Sequence, residues 1–332
     1  MGKKPVLKLY RGYGHTHDMV LFGHVLGGNQ KPVQVKSTNA FINLLQLLRL
    51  FFVYPVGKRT VNTTWQGQTI EAVSEDDGFF ILEWEAANST PAGTHHLQVS
   101  LKDENMGSDK QGDIVVPHLT QYAFISDIDD TVMISHSATS FKRMKELLFK
   151  SPAQRQVFKD VARHYRLLAL SHTEPTQPNP FFYVSSSEWN LYDYLVTFFT
   201  LNHLPEGSLL LSQIKKWYQL FKTGKTKHEG KLLRINRLFV HFPKQRFVLF
   251  GDNSQSDPSI YETLTKKYSD RIAAVYIRNV AKINEEATAV ILKNIEACNI
   301  AVLQFSQSVE AIAHSKAIGL INVEEHLEIN GD

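Results

Sequence analysis

Three carboxylates stand within four residues of one another near the middle of the chain, at Asp127, Asp129 and Asp130. They follow an apolar run, residues 122–125, that has the composition of a buried strand. Like charges repel, so folding alone gives no reason to place them there. A divalent cation or a phosphoryl-transfer reaction would, because a strand conformation directs Asp127 and Asp129 to the same side. Two such acids can divide the work of nucleophile and general acid/base. The alternative is an Asp-rich turn that closes the strand.

Polar side chains also follow two later apolar runs. They are Ser185, Ser186 and Ser187 after residues 181–184, Asp252 and Asp257 after residues 246–250, and Lys227 and Lys231 on a helix between them. Ligands of an open parallel sheet bind beyond the carboxyl ends of its strands, so we expect these groups to meet Asp127 at one edge. Two acidic clusters suit a hard cation such as Mg²⁺. A hydroxyl and an ammonium can hold the remaining oxygens of a transferring phosphoryl group.

The elements that would position these residues alternate between strand and helix after Pro117. The predicted strands are residues 122–125, 181–184, 246–250, 272–277 and 300–303, and the predicted helices are residues 140–149, 153–168, 189–200 and 227–239. This alternation predicts an α/β fold with a parallel sheet flanked by helices over residues 118–332.

The part of the chain before Pro117 has a different pattern. Short apolar or alternating runs are separated by Gly, Asn and Asp turns, which predicts a small β-sandwich over residues 1–117, with one helix at 39–52. Its histidines, His15, His17 and His24, lack the Cys or carboxylate companions of a metal site. We therefore predict no catalytic site in this part.

Composition narrows the class of protein. The chain has 332 residues, a formal net charge of +3 and a single cysteine, so an internal disulfide framework is excluded and a reducing compartment is favoured. The longest mostly apolar run, residues 41–54, is too short and too polar to span a bilayer. No signal sequence is evident at the N-terminus. We expect a cytoplasmic protein.

Basic residues are concentrated in two stretches. Before Thr60 the Lys and Arg residues are opposed by Asp18 alone, and between residues 215 and 246 they are opposed by Glu229 alone. Such stretches favour anionic partners, namely phosphates, acidic lipid surfaces or nucleic acid. The alternative is an ordinary solvated surface.

The order of these motifs resembles that of haloacid-dehalogenase-superfamily phosphatases. D-I-D-D-T at residues 127–131 is followed by a strand that ends in Ser185, by a lysine, and by G-D-x-x-x-x-D at residues 251–257. More narrowly, residues 125–131, 182–187 with 189–192, and 251–261 resemble the actin-patch-associated phosphatidate phosphatase family, a relative of the lipins. The likeness extends to residues 276–278 and 319–321, and at the N-terminus to residues 10–14 and 77–80. It implies a Rossmann-like sheet of haloacid-dehalogenase type.

The resemblance also implies roles for the acids. Asp127 would attack phosphorus and carry an aspartyl-phosphate, while Asp129 would protonate the leaving oxygen and then activate water. Asp127, the main-chain carbonyl of Asp129 and Asp252 would bind Mg²⁺, with Asp257 in support.

The same resemblance assigns Ser185 and a lysine to hold the transferring group. Lys231 is predicted from its distance to Phe242 and Pro243, which close the helix, with Lys227 in reserve. Further candidates for the substrate pocket, with core packing or helix capping as their alternative, are Ser186, Ser187 and Trp189.

The resulting prediction is a Mg²⁺-dependent phosphatase that hydrolyses phosphatidate or a related lipid phosphate to diacylglycerol and phosphate. Two alternatives stay open: a phosphatase of a soluble phosphomonoester, and a non-catalytic phosphatidate-binding module. The basic stretches predict peripheral contact with an anionic membrane surface, and no nucleic-acid partner is expected.

Overall fold

The computed structural model describes residues 4–28, 40–102, 109–119, 121–135, 151–174, 176–213 and 227–322. Two β-sheets and their helices account for most of these residues. The helix predicted over residues 140–149 and the lysines between residues 215 and 225 lie outside the described ranges.

The first sheet is built by the N-terminal part of the chain. Its elements are β1 (Pro5–His15), β2 (Asp18–Gly27), α1 (Ala40–Phe51), β3 (Thr60–Trp65), β4 (Gln68–Val73), β5 (Phe79–Glu85), β6 (Gly93–Leu101) and β7 (Lys110–Val116). The seven strands form one sheet in the order β4-β3-β6-β7-β1-β2-β5, and only the β1–β7 pair is parallel. The predicted strands and helix are confirmed.

The predicted sandwich of two stacked sheets is wrong, because these strands form one sheet whose outer strands β4 and β5 come into contact. Turn spacing predicts that short strands are present but not how they pair. Both faces of β1 and β2 are apolar: Leu7 and Leu21 fill the inside of the nearly closed sheet, whereas Tyr10, Tyr13 and Phe22 face the second sheet. A sheet covered on both faces needs no second layer of its own.

The second sheet has six strands, all parallel. They are β8 (Tyr122–Ser126), β9 (Phe181–Glu188), β10 (Gly207–Ser212), β11 (Arg246–Asp252), β12 (Ile272–Arg278) and β13 (Ala301–Phe305). Five of them were expected and are confirmed. Strand β10 was not, because a run of three leucines between serines is too short to distinguish a strand from a buried helical segment.

The order of this sheet is β10-β9-β8-β11-β12-β13. The chain therefore starts in the middle, moves outward through β9 and β10, and returns to build the other half from β11. This is the doubly wound arrangement, and its order reverses between β8 and β11. A ligand is expected beyond the carboxyl ends of those two strands, where Asp127 and Asp252 lie.

Helices cover this sheet: α2 (Val161–Leu170), α3 (Tyr192–Leu201), α4 (Lys227–His241), α5 (Asp257–Tyr268), α6 (Glu285–Glu296) and α7 (Ser308–Ala317). The prediction of a helix over residues 153–168 is corrected at its start, which is Val161. The amide of Ile134 donates to the carbonyl of Gln156, at 2.9 Å, and that of Phe158 to Val132, at 3.1 Å. Pairing with the segment after the acidic motif thus outweighs helix propensity there.

The two sheets share a packed boundary. Tyr10 of β1 stacks on Trp189 at 4.1 Å between ring centroids, and the Nζ atom of Lys8 lies 2.8 Å from Asp193 on α3. Arg11 pairs with Glu206. The N-terminal basic stretch is thus partly neutralised within the fold. No helix in the described ranges, α1 included, is long and apolar enough to cross a membrane.

Candidate active site

Asp127 lies directly beyond β8 and is only 2% exposed. Its amide donates to the carbonyl of Phe250 on β11, at 2.9 Å. The hydrogen bonding between the two central strands therefore extends to Asp127 and fixes it at the carboxyl edge of the sheet. Lys231 on α4 reaches the same point, with its Nζ atom 2.8 Å from Asp127 Oδ1 and also bonded to Asp257 Oδ1. The sequence-predicted nucleophile, lysine and supporting acid are therefore in direct contact.

The third acid of the site, Asp252, ends β11 and is fully buried. Oxygens of Asp127, Asp252 and Asp257 lie within 4.8 Å of one another. The geometry requires a glycine before Asp252, since a Cβ on Gly251 would lie 2.5 Å from Asp257 Oδ2. The spacing of G-D-x-x-x-x-D thus lets the first turn of α5 return its carboxylate against the strand end.

Burial dominates the electrostatics of these acids. It raises the pKa of Asp127 well above its ordinary value, against the pull of Lys231 and with further repulsion from Asp257 and Asp252. It also raises the pKa of Asp252 to about 7, with Asp257 as the next cause. Burial disfavours the Lys231 ammonium, but Asp127 and Asp257 outweigh that effect and raise its pKa. One ammonium does not compensate three buried carboxylates.

A divalent cation would complete this balance. Asp127 Oδ2 and Asp252 Oδ2 are buried and accept no hydrogen bond from any described residue. Unpaired buried carboxylate oxygens are costly, and they are the ligands that Mg²⁺ takes. The donor set of Asp127, Asp252 and Asp257 therefore fits Mg²⁺.

Asp129 belongs to a different part of the site. Its Oδ1 accepts a hydrogen bond from the Ser135 hydroxyl at 2.6 Å, and its Oδ2 accepts one from Ser187 at 3.3 Å. It is not a member of the carboxylate group that could hold a metal through side chains. Asp130 adopts a left-handed backbone with φ of 58° and accepts the amide of Ser135 at 2.8 Å. Asp130 therefore shapes the turn that presents Asp129.

The serines that follow β9 have separate environments. Ser185 is buried; its Oγ accepts the amide of Ser187 at 3.0 Å and its carbonyl accepts Arg234 Nη2 at 3.1 Å. Ser187 contacts Asp129, as described above, and Ser186 is half-buried. Ser135 and Arg234 were not among the predicted site residues. No sequence motif marks them: Ser135 lies in the turn just after the acidic motif, and Arg234 reaches the site through tertiary contact.

The two candidate lysines lie one turn apart on α4. Lys227 is the first residue of the helix, and the structure does not describe its side chain. Lys231 makes both ion pairs with the acids. The distance from the helix end therefore selected the residue that contacts Asp127.

Trp189 stands at the boundary between the two sheets. It is 5% exposed, stacks on Tyr10, and has Phe79 and His24 as further ring neighbours. This environment matches the packing alternative for Trp189 rather than direct substrate contact.

We expect Trp189→Ala to lower the free energy of unfolding by about 3–5 kcal/mol, because a large buried aromatic is removed. Trp189→Phe should lose less stability, and KM for the lipid phosphate that the motifs predict as substrate should stay nearly unchanged. Urea unfolding and steady-state kinetics measure the two effects. Unchanged stability of the alanine variant together with a large rise in KM would instead make Trp189 a substrate-binding residue.

The part of the chain that carries this site is similar to known proteins. Residues 122–279 match the family model described as the catalytic domain of phosphatidate phosphatase APP1. Phosphatidate phosphatase APP1 of Saccharomyces cerevisiae is 29% identical over 155 residues, which cover 46% of this chain and 25% of the yeast protein. An uncharacterized protein of Schizosaccharomyces pombe is 26% identical over 160 residues, covering 48% of this chain and 25% of that protein. The chain thus spans about a quarter of the length of these curated relatives.

A solved structure, a carbohydrate acetylesterase from Xanthomonas citri, aligns with 83% of this chain and 68% of its own. Its sequence identity is 10% and its TM-score is 0.28, which is too low to support any argument. The family match instead coincides with the strands that carry the site. The resemblance inferred from the motifs is confirmed: residues 122–279 match the family of the APP1 phosphatidate phosphatase catalytic domain.

Proposed function

We propose that the chain is a Mg²⁺-dependent phosphatidate phosphatase, which hydrolyses phosphatidate to diacylglycerol and phosphate. The observation that carries the proposal is the contact of Lys231 with Asp127 and Asp257 beside Asp252, at the switch point of the parallel sheet. Such a set provides a nucleophile, a fixed cation and oxygen ligands for a metal in one buried site. The match of the same residues to the family model for the APP1 phosphatidate phosphatase catalytic domain supports phosphatidate as the substrate class.

In the proposed reaction Asp127 attacks phosphorus. One of its carboxylate oxygens makes the attack, while Lys231 orients the carboxylate through its ion pair with Oδ1. The bond between phosphorus and the lipid oxygen breaks, and the protonated carboxyl of Asp129 gives its proton to that oxygen. Diacylglycerol leaves and the phosphoryl group stays on Asp127.

Asp129, now ionised, takes a proton from water, which attacks the phosphorus of the aspartyl-phosphate. The bond between phosphorus and Asp127 breaks, and phosphate is released. Ser135 and Ser187 keep the Asp129 carboxylate in place through both steps. Ser185 and Lys231 hold phosphoryl oxygens and offset the charge that develops there.

Mg²⁺, held by Asp127, Asp252, the main-chain carbonyl of Asp129 and, in support, Asp257, would neutralise negative charge between the nucleophile and the phosphoryl group. We further propose that residues 118–332 form a catalytic domain of haloacid-dehalogenase type and that residues 1–117 form a separate N-terminal domain. The doubly wound strand order supports the first assignment and the separate seven-stranded sheet supports the second.

Peripheral contact with an anionic membrane is part of the proposal. Of the nine basic residues before Thr60, Lys8, Arg11 and Lys58 pair with acidic side chains, so the charge of these three is partly neutralised within the fold. Binding to vesicles that contain phosphatidate, compared with neutral vesicles, tests this contact separately from turnover.

The experiment that tests the function is phosphate release by the purified chain from phosphatidate, lysophosphatidate and a sugar phosphate. We expect turnover of phosphatidate, loss of turnover on chelation with EDTA, and recovery on addition of Mg²⁺. Turnover of the sugar phosphate alone would favour the soluble-substrate alternative. Binding to phosphatidate vesicles without turnover of any phosphomonoester would make the chain a binding module and refute the proposal.

A further inference from the structure

A short pair of extended segments follows the acidic motif. Met133 pairs with Val157 in antiparallel fashion, flanked by hydrogen bonds from Ile134 to Gln156 and from Phe158 to Val132. Continuing this register by two residues on each side brings Ser135 opposite Arg155. Directly opposed side chains on one face of such a pair interact. The fold therefore directs Arg155 toward the loop that carries Asp129.

Arg155 is an unusual buried cation. It is 4% exposed, and its Nη2 donates to Ser135 Oγ at 3.3 Å. Its Nε and Nη1 atoms are buried and have no hydrogen-bond partner, and it forms no ion pair within the described part of the chain. Burying a charged group without partners is strongly unfavourable. Packing alone gives no reason to keep an arginine at this position.

A second buried arginine shows what a structural role looks like. The Nε of Arg278 donates to the carbonyl of Thr131 at 3.0 Å, its Nη1 to that of Ser306 at 3.3 Å, and its Nη2 to Ser308 Oγ at 2.9 Å. Every nitrogen of Arg278 is thus engaged, and its guanidinium lies over an aromatic ring, that of Phe158, at 4.1 Å. Arg155 differs by leaving two of its three nitrogens unused.

The position of Arg155 connects it to the chemistry. Ser135 donates its proton to Asp129 Oδ1 at 2.6 Å, so it accepts the hydrogen bond from Arg155. One hydroxyl therefore separates the guanidinium from the acid/base carboxylate. The phosphate of a substrate must come against Asp129 for proton transfer to its leaving oxygen. Guanidinium is the side-chain group best suited to phosphate oxygens.

We propose that Arg155 is a phosphate-binding residue of this site, with the N–H groups on Nε and Nη1 donating to phosphate oxygens of the substrate. The inference rests on the proposed function and adds to it a cation that the motif set does not contain. Arg155, which is paired with the segment after β8, and Lys231, which lies on α4, would thus hold the phosphate from two different elements.

The test compares Arg155→Met with Arg271→Met. Arg271 is the matched control, because its Nε is also buried and unpaired, its Nη2 donates to the carbonyl of Phe239 at 2.7 Å, and it lies at the opposite edge of the sheet, before β12. The dissociation constant of inorganic phosphate, the reaction product, is measured by calorimetry with Mg²⁺ present. Thermal midpoints and kcat/KM with phosphatidate are measured on the same samples.

We expect Arg155→Met to weaken phosphate binding by about tenfold to a hundredfold, the scale of a lost charge-assisted hydrogen bond. kcat/KM should fall at least as much, whereas the thermal midpoint should not fall, since an unpaired buried charge is removed. Arg155→Lys should recover little, because an ammonium cannot keep the bond to Ser135 and also place N–H groups where Nε and Nη1 lie. Arg271→Met should leave phosphate affinity unchanged.

Unchanged phosphate affinity in folded Arg155→Met would overturn the proposal, and so would unchanged affinity in Arg155→Lys if the methionine variant does not fold. A wild-type chain that turns over phosphatidate but binds no phosphate would also overturn it. A wild-type chain that binds phosphate through Arg155 but hydrolyses no phosphomonoester would refute the phosphatase function and leave Arg155 as a phosphate ligand.

Discussion

Asp127→Asn is expected to lower phosphate release from phosphatidate by at least about 10⁴-fold, the scale of losing a catalytic nucleophile. An amide cannot attack phosphorus, so no aspartyl-phosphate can form at residue 127. The same substitution also removes a ligand from the set that fits Mg²⁺. The measurement is kcat at saturating phosphatidate and Mg²⁺.

Loss of folding would not explain this result. The pKa of Asp127 is raised by burial, with repulsion from Asp257 and Asp252, so a neutral amide relieves an unfavourable charge. We expect the thermal midpoint of Asp127→Asn without metal to equal or exceed that of wild type. Asp130→Asn is the matched control, because its amide oxygen can still accept the amide of Ser135. Equal turnover by the two variants would contradict the role of Asp127.

Lys231→Met is expected to lower both turnover and stability. Its ammonium is the cation that contacts Asp127 and Asp257, and breaking a buried ion pair from one side costs about 3–5 kcal/mol. We also expect a fall in kcat of roughly 10³-fold, comparable to removing one preorganised group that stabilises the transition state. Urea unfolding without Mg²⁺ and steady-state kinetics with Mg²⁺ measure the two effects.

The sign of the pH dependence distinguishes this explanation from loss of packing. A buried carboxyl whose folded-state pKa is raised, as for Asp127, contributes stability that is present at low pH and lost as pH rises through that pKa. Removing Lys231 raises the pKa of Asp127 further, because the ammonium favours the ionised carboxylate. The loss of stability in Lys231→Met should therefore be smaller at pH 5 than at pH 8. A deficit independent of pH would contradict the electrostatic explanation.

Two further substitutions refine the role of this lysine. Lys231→Arg keeps the charge but not the compact ammonium, so it should recover stability more than turnover. A parallel Lys227→Met variant compares the two candidates on α4 directly. We expect the larger loss of turnover from Lys231, and a larger loss from Lys227 would assign the motif lysine to that residue.

The acidic edge of the sheet could be predicted from sequence because each polar cluster directly follows an apolar run. Asp127 and Asp252 each stand at the end of a strand, so they lie at the carboxyl edge of a parallel sheet whatever the order of its strands. The spacing from the end of α4 likewise selects Lys231, since a helix converts sequence distance into position. The local sequence pattern is therefore enough to predict that Asp127, Asp252 and Lys231 lie close together.

Other features depend on partners that are distant in sequence. Helix α2 starts at Val161 because the residues before it pair with the segment after the acidic motif. Trp189 is buried because Tyr10, far away in the chain, stacks on it. Arg155 reaches Ser135, the hydrogen-bond partner of Asp129, through that antiparallel pairing. Contacts between residues that are far apart in the chain leave no local pattern in the sequence, so they could not be predicted from it.

An aspartyl-phosphate on Asp127 can be tested for directly by trapping the phosphoryl group on the protein. The Asp129→Asn variant is mixed with Mg²⁺ and an aryl phosphate, whose good leaving group needs no proton, and is then quenched in acid and digested for mass spectrometry. We expect one phosphoryl group on the peptide that contains Asp127, because the amide at residue 129 cannot activate water for its release. Release of aryl alcohol and phosphate at equal rates, with no phosphoryl group on Asp127, would contradict this expectation.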